Sequence, residues 1–124
     1  ESISLALELA ERWFVQHEYQ QALAFLYEFR LYLEPRDEAF LLQNIYDLVK
    51  IADTSLAEQK KLPTLVSFYR FLTNLHVDHT PYYLRLAYWL IESGDLYEAE
   101  LSLVGASGDI LYQEEFEDLQ KKEK

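Results

Sequence analysis

The stretch 86–99, which reads LAYWLIESGDLYEA, decides the fold because two helices and the turn between them can be read from it. Apolar residues recur every three or four positions on both sides of Gly94-Asp95, and this pair interrupts the pattern. Two helices joined by so short a turn pack antiparallel as a hairpin. Small residues at fixed separation, Ala87 and Ala99, allow the two helices to approach closely.

The stretch 9–22, LAERWFVQHEYQQA, repeats this spacing near the beginning of the chain. Ala10 and Ala22 stand at the same separation as the alanines of the later stretch. Tyr19 precedes the second alanine by three positions, where an apolar side chain would close the end of the hairpin. His17 stands where the later stretch has its turn glycine. An internal repeat of this kind is the strongest indication of architecture in the sequence.

Apolar periodicity predicts six helices, at about 2–16, 19–33, 37–52, 63–75, 81–93 and 96–106. In the first of them, Leu5, Leu9 and Trp13 mark the apolar face. Pro35 is expected to close the second helix, whereas two later prolines open the fourth and fifth.

Two further segments lie outside these six helices. The polar stretch 53–62 is either a loop or a helical extension, and a short amphipathic helix is expected at 109–120. With only 3 Gly and 3 Pro in 124 residues, the class is predicted to be all-α, in a single domain.

The turn Gly94-Asp95 followed by Ala99, with Ala87 in the preceding helix, resembles the tetratricopeptide repeat. Leu33-Glu34-Pro35 is similar to the end of such a repeat, displaced by one position. The resemblance implies a short right-handed solenoid of antiparallel hairpins, with repeats at about 1–35, 36–78 and 79–108 and a C-terminal capping helix.

The sequence departs from the family pattern in its middle part. The second repeat is too long, and Ile45 replaces the small residue of its first helix. The match is therefore good for the first and third repeats alone. A compact bundle of six or seven helices without a groove is the alternative architecture.

In the resembled family, the first helix of each repeat lines a concave groove that receives a peptide or a partner helix. Carried over position by position, this implies a groove that includes Glu8, Glu11, Phe14, Arg85, Tyr88 and Glu92. The alternative for the apolar members is packing against a neighbouring helix. Arg85 and Tyr88 are the preferred ligand contacts, because a buried core rarely contains an arginine.

The formal net charge of −11 is concentrated at the two ends of the chain. Residues 1–50 carry 4 Lys/Arg against 9 Asp/Glu, and residues 91–124 carry 3 against 10. Such a surface repels phosphate backbones, so nucleic acid is not an expected partner. No apolar run reaches the ~20 residues of a membrane-spanning helix, so a soluble chain, cytoplasmic or periplasmic, is expected.

No pattern of catalytic, cofactor-binding or metal-binding residues stands out, and no enzyme activity or cofactor is expected. The pair His76 and His79 lacks a nearby third ligand, and there is no cysteine. The predicted function is therefore a protein–protein interaction module for a peptide or partner helix.

Two alternatives to this function are open. Self-association of a structural domain, as a homo-oligomer, is suggested by the 10 Tyr and 7 Phe. The chain, which does not begin with Met, also looks like the repeat segment that precedes a retropepsin-like protease domain in some bacterial proteins. That resemblance implies an accessory or regulatory domain of a larger enzyme.

Overall fold

The computed structural model describes residues 2–106, and α-helices make up most of them. The helices are α1 (Ser2–Val15), α2 (Tyr19–Phe29), α3 (Pro35–Glu58), α4 (Leu62–Leu75), α5 (Thr80–Ser93) and α6 (Leu96–Ala106), with a 3-10 turn at Arg30–Tyr32. No strand occurs within 2–106, so the all-α class is confirmed for the part described. The helix predicted at 109–120 lies outside the described residues.

The chain forms two compact units that divide between Glu58 and Gln59. Unit 1 contains α1, α2 and α3, and unit 2 contains α4, α5 and α6. The division falls inside the predicted second repeat, 36–78. Every helix of both units contributes buried side chains.

The α1–α2 hairpin of unit 1 is built on small residues. Ala10 and Ala22 are both 0% exposed, as the repeated spacing predicts, and the short side chains let the two helices pack closely. The prediction of the apolar face of α1 is wrong in one respect. Ala6, rather than Leu5 or Leu9, joins Ala10 in the core, because the side of α1 that faces α2 has room for alanine but not for leucine.

The turns of the α1–α2 and α5–α6 hairpins have the same backbone geometry. His17 and Gly94 both adopt the left-handed conformation, with φ of 64° and 84°. The same three N–H to carbonyl hydrogen bonds follow in each turn, from His17 to Phe14, Glu18 to Trp13 and Ala22 to Glu18, and from Gly94 to Ile91, Asp95 to Leu90 and Ala99 to Asp95. His17 therefore holds the turn position that glycine holds in the second hairpin.

Pro35 begins a helix in the structure, and the prediction that it closes one is wrong. The preceding helix ends earlier, at Phe29, and a 3-10 turn leads to an extended Leu33. Proline fits the first turn of a helix because the N–H that it lacks has no intrahelical acceptor there. An ion pair between Arg30 and Glu38, with 3.1 Å from Nη1 to Oε2, joins the two sides of this connection.

α3 extends to Glu58, six residues beyond the predicted end, so 53–58 is the helical extension and not a loop. Asp53 and Leu56 are buried and continue the inner face of the helix. The Tyr19 hydroxyl at the start of α2 donates a hydrogen bond of 3.3 Å to Ser55 Oγ. These two residues are 36 positions apart in the sequence. The local composition of 53–62 therefore could not determine whether the segment is helical.

Unit 2 has its core between α5 and the helices on either side of it. Leu84 and Ala87 of α5 pack with Leu103 and Ala106 of α6, and Tyr83 lies against this cluster. Ala87 and Ala99 are fully buried, in agreement with the repeated spacing. On the other side, α4 contributes a further buried set, Leu65, Phe68, Tyr69, Leu72 and Thr73.

Gly94 and Gly105 should respond in opposite directions to replacement by alanine. A Cβ at Gly94 meets nothing within 4 Å, so the expected loss of about 1 kcal/mol in the free energy of unfolding comes from the positive φ alone. Gly105 lies in α6, and its Cβ would touch the Tyr83 ring at 3.4 Å. This is an ordinary van der Waals distance. Gly105→Ala should therefore raise the free energy of unfolding by about 0.5 kcal/mol, because alanine has the higher helix propensity. Urea denaturation of the two variants measures both changes in the free energy of unfolding. Changes of the same sign would contradict the prediction.

Candidate functional site

The six predicted groove residues are divided between the two units. Glu8, Glu11 and Phe14 lie on α1 in unit 1, and Arg85, Tyr88 and Glu92 lie on α5 in unit 2. Each set has its own local surroundings.

Glu8 and Glu11 lie on the exposed side of α1. Together with Arg12, Val15 and Gln16 they border an open concavity of about 460 Å³. Arg12 Nη2 lies 3.2 Å from Glu8 Oε2, and both side chains are mostly exposed. Such a pair contributes little to stability, and both of its charged groups are accessible to solvent.

Phe14 lies in the core of unit 1, where it is 9% exposed. Its ring packs against that of Tyr19, with 4.8 Å between the ring centroids. Of the two interpretations that the sequence allowed for this residue, packing against a neighbouring helix is the one that the structure supports. We therefore remove Phe14 from the candidate binding surface.

Sequence reasoning missed an apolar surface on the other part of the α1–α2 hairpin. Leu5 and Leu9 are 68% and 40% exposed. With Phe25 and Phe29, which are partly buried, and with Ser2 and Ala6 they line an open concavity of about 410 Å³. We call the four large side chains, Leu5, Leu9, Phe25 and Phe29, the α1–α2 groove.

The α1–α2 groove results from the way the hairpin packs. Because the alanine stripe of α1 faces α2, the leucines one position before each alanine are displaced to the edge of the interface. The rings of Phe25 and Phe29 stack with centroids 5.9 Å apart, and the edge of Trp13 meets Phe25 at 5.7 Å. The positions of Ala6, Ala10 and Ala22 in the sequence were the signal that could have identified this edge.

On α5, the structure brings the predicted residues Arg85 and Tyr88 together. The Arg85 guanidinium lies over the Tyr88 ring at 4.6 Å and over the Trp89 ring at 4.9 Å from the centroids. Stacking of this kind is worth about 0.5–1 kcal/mol at an exposed site. It holds the guanidinium in place on the exposed side of α5, where Glu92 is also exposed.

Two histidines and a tyrosine form an aromatic cluster at the connection between α4 and α5. The rings of His76 and His79 stack at 4.8 Å with an angle of 15° between their planes, and Tyr82 meets His79 edge-on at 4.5 Å. Burial lowers the pKa of His79 from 6.5 to about 4, and the adjacent His76 contributes to the same shift. Both effects disfavour the charged imidazolium.

The low pKa of His79 predicts that unit 2 loses stability in mild acid. Above pH 6.5 the imidazole is neutral in the folded and unfolded states, so it has no effect there. Between 6.5 and about 4 the unfolded chain binds a proton that the folded chain does not, so stability falls as the pH falls. The ring is partly exposed, and this reduces the effect. The free energy of unfolding is expected to fall by about 1–2 kcal/mol over this pH range.

His79→Gln removes this titration and should flatten the dependence of stability on pH. The measurement is urea denaturation at about pH 7 and about pH 5, a range that limits the contribution of carboxylates. Equal pH dependence in His79→Gln and the unchanged protein would contradict the assignment.

A metal site and a membrane-spanning helix would each be recognisable within residues 2–106. No group of three or more His, Asp or Glu side chains there is arranged to hold a metal ion. Among the same residues, no helix has both the length and the apolar character needed to cross a membrane.

Comparison of the chain with protein-family models, with curated proteins and with solved structures found no match.

Proposed function

We propose that the chain is a protein-interaction module, with no catalysis of its own, and that it binds a peptide or a partner helix through the α1–α2 groove. The observation that carries this proposal is the exposure of Leu5 and Leu9 beside the stacked rings of Phe25 and Phe29. Adjacent large apolar side chains on a surface favour a binding site. Rigid aromatic rings in a concave surface are also typical of the anchor positions of interfaces.

That each of the two hairpins, α1–α2 and α5–α6, is tetratricopeptide-like belongs to the same proposal. The matched sequences 9–22 and 86–99 support it. So does the shared geometry of the turns at His17 and Gly94.

Selection from a displayed library of random peptides tests the function. The unchanged protein should enrich a family of related sequences, and Leu5→Gln/Leu9→Gln should weaken binding of those peptides about tenfold or more. Glutamine suits this test because its helix propensity is close to that of leucine, so α1 stays intact.

Ile51→Gln is the matched control, because Ile51 is an exposed apolar residue on α3 of the same unit and does not line the groove. Circular dichroism establishes that the variants are folded. A selection without enrichment would refute the proposed function. Enriched peptides that bind the leucine variant normally would refute the location.

Self-association is a second candidate, which one feature of α6 favours. The buried side of α6 carries Ala99, Ser102, Leu103 and Ala106, yet Tyr97, Leu101 and Val104 are exposed. A helix that is apolar on two sides is commonly covered on both. Sedimentation equilibrium tests this candidate: a dimer that dissociates in Leu101→Gln would support it, and a monomer at high concentration would exclude it.

A further inference from the structure

The chain carries a second exposed apolar surface, on α6, in addition to the α1–α2 groove. It consists of Tyr97, Leu101 and Val104, all of which are exposed. Their spacing of four and then three residues places them on one side of the helix, opposite the side that is buried in unit 2. We call these three side chains the α6 ridge. The ridge projects from a helix, whereas the α1–α2 groove is a concavity between two helices.

The groove and the ridge have matching spacings. The groove is lined by one pair of large side chains on each of its two helices, and the members of each pair are four residues apart. Four residues of a helix span about 6 Å. Tyr97 and Leu101 of the ridge are separated by the same four residues. A helix that lies along the groove can therefore insert both side chains between the two pairs, as a row of side chains on one helix packs into the furrow of another.

The charges at the two surfaces allow copies of this acidic chain to meet there. None of the residues that line the groove is charged, and the ridge has no charged member either. Contact between them would therefore bury no charge, as is typical of the centre of a protein interface. The nearest charged neighbours have opposite signs. Arg12 lies three positions after Leu9, on the same side of α1, and the exposed Glu100 directly precedes Leu101.

We propose that the α6 ridge of one copy of the chain occupies the α1–α2 groove of a second copy. The partner helix of the proposed function is then α6 itself, so this inference rests on that function and names its partner. Because the two surfaces differ, the contact is head-to-tail, and a pair of copies still has one groove and one ridge unoccupied. Association of this kind continues beyond two copies, as a ring or as a linear assembly.

The shapes of the two surfaces select this contact over the other arrangements. Contact between two α6 ridges would set one projecting surface against another. Contact between two α1–α2 grooves would leave both concavities unfilled. An unrelated helix would fill the groove but would leave the ridge exposed to water. Head-to-tail contact covers both exposed apolar surfaces of the chain, and such surfaces are favoured sites of association.

Sedimentation equilibrium of the full chain and of two variants tests the inference. Leu5→Gln/Leu9→Gln alters the groove, and Tyr97→Gln/Leu101→Gln alters the ridge. The unchanged chain should associate beyond a dimer at about 0.5 mM, a high concentration chosen because small interfaces are weak. Each variant alone should be monomeric. An equal mixture of the two should form a dimer with one copy of each, at least about tenfold tighter than either variant alone, because one copy retains the ridge and the other retains the groove.

Ile51→Gln is the control for both variants. Ile51 is an exposed apolar residue of α3 and belongs to neither surface. Its substitution should leave the association of the chain unchanged. Circular dichroism establishes that each variant is folded.

Several results would overturn the inference. A monomeric unchanged chain would do so, and the proposed function would survive if the library selection still enriched peptides that require Leu5 and Leu9. A dimer that only the ridge variant loses would identify contact between two α6 helices, and one that only the groove variant loses would identify contact between two grooves. Loss in both variants without recovery in the mixture would show that the ridge does not occupy the groove. Failure of the proposed function itself is measured separately, by a library selection without enrichment.

Discussion

Replacing Phe68 by alanine is expected to lower the free energy of unfolding by about 3–5 kcal/mol. Phe68 is 2% exposed, and its ring meets the edge of Tyr69 at 5.3 Å. Removal of the ring takes away its burial energy and leaves a cavity among packed side chains. Because whole domains are stable by only about 5–15 kcal/mol, Phe68→Ala should lower the midpoint of urea unfolding markedly.

Phe40→Ala is the control for this substitution. Phe40 is 58% exposed on α3, so the same chemical change should cost less than about 1 kcal/mol. Circular dichroism during urea titration measures both variants. A similar loss at the two positions would show that Phe68 does not occupy a closed core.

Replacing Ala22 or Ala99 by leucine is expected to cost about 3 kcal/mol at each position, because both alanines lie between closely packed helices. Each is 0% exposed. Three additional carbon atoms cannot be placed there unless the two helices of the hairpin move apart. The two costs should be nearly equal, since the hairpins share the turn geometry found at His17 and Gly94.

Ala39→Leu is the control, because Ala39 is exposed on α3 and leucine has nearly the helix propensity of alanine. Ala39→Leu should change the free energy of unfolding by less than about 0.5 kcal/mol. Thermal and urea denaturation give the comparison. A large cost at one hairpin alanine and none at the other would contradict the equivalence of the two hairpins.

The hairpins could be predicted from the sequence because their signals are local. The spacing of Ala10 from Ala22 and of Ala87 from Ala99 identified four positions that are fully buried. The turn at Gly94 also lies where the sequence placed it. Small residues and turn residues act over a few positions, so a single sequence is enough to find them.

The two errors in the helix boundaries have different causes, one in a local turn and one in a distant contact. Proline is compatible with both the end and the start of a helix, and only the 3-10 turn before Pro35 determines which one applies. The helical state of 53–58 depends on burial of Leu56 and on the hydrogen bond from Tyr19 to Ser55. Neither contact can be read from local composition.

The candidate site was predicted in part. The charged residues Glu8 and Glu11 were expected on the surface of α1, where they lie. The α1–α2 groove was missed because hydrophobicity alone favours leucine over alanine as the core residue of α1. The distance between two packed helices reverses that preference, and it is a property of the hairpin rather than of either helix.

The two tryptophans have a practical consequence. The chain has 2 Trp: Trp13, whose ring meets Phe25 in unit 1, and Trp89, which lies beneath Arg85 in unit 2. Indole emission moves to longer wavelength when water reaches the ring. Trp89→Phe leaves an indole in unit 1 alone, and Trp13→Phe leaves one in unit 2 alone. The unfolding of each unit can therefore be followed optically, in real time and without an attached dye.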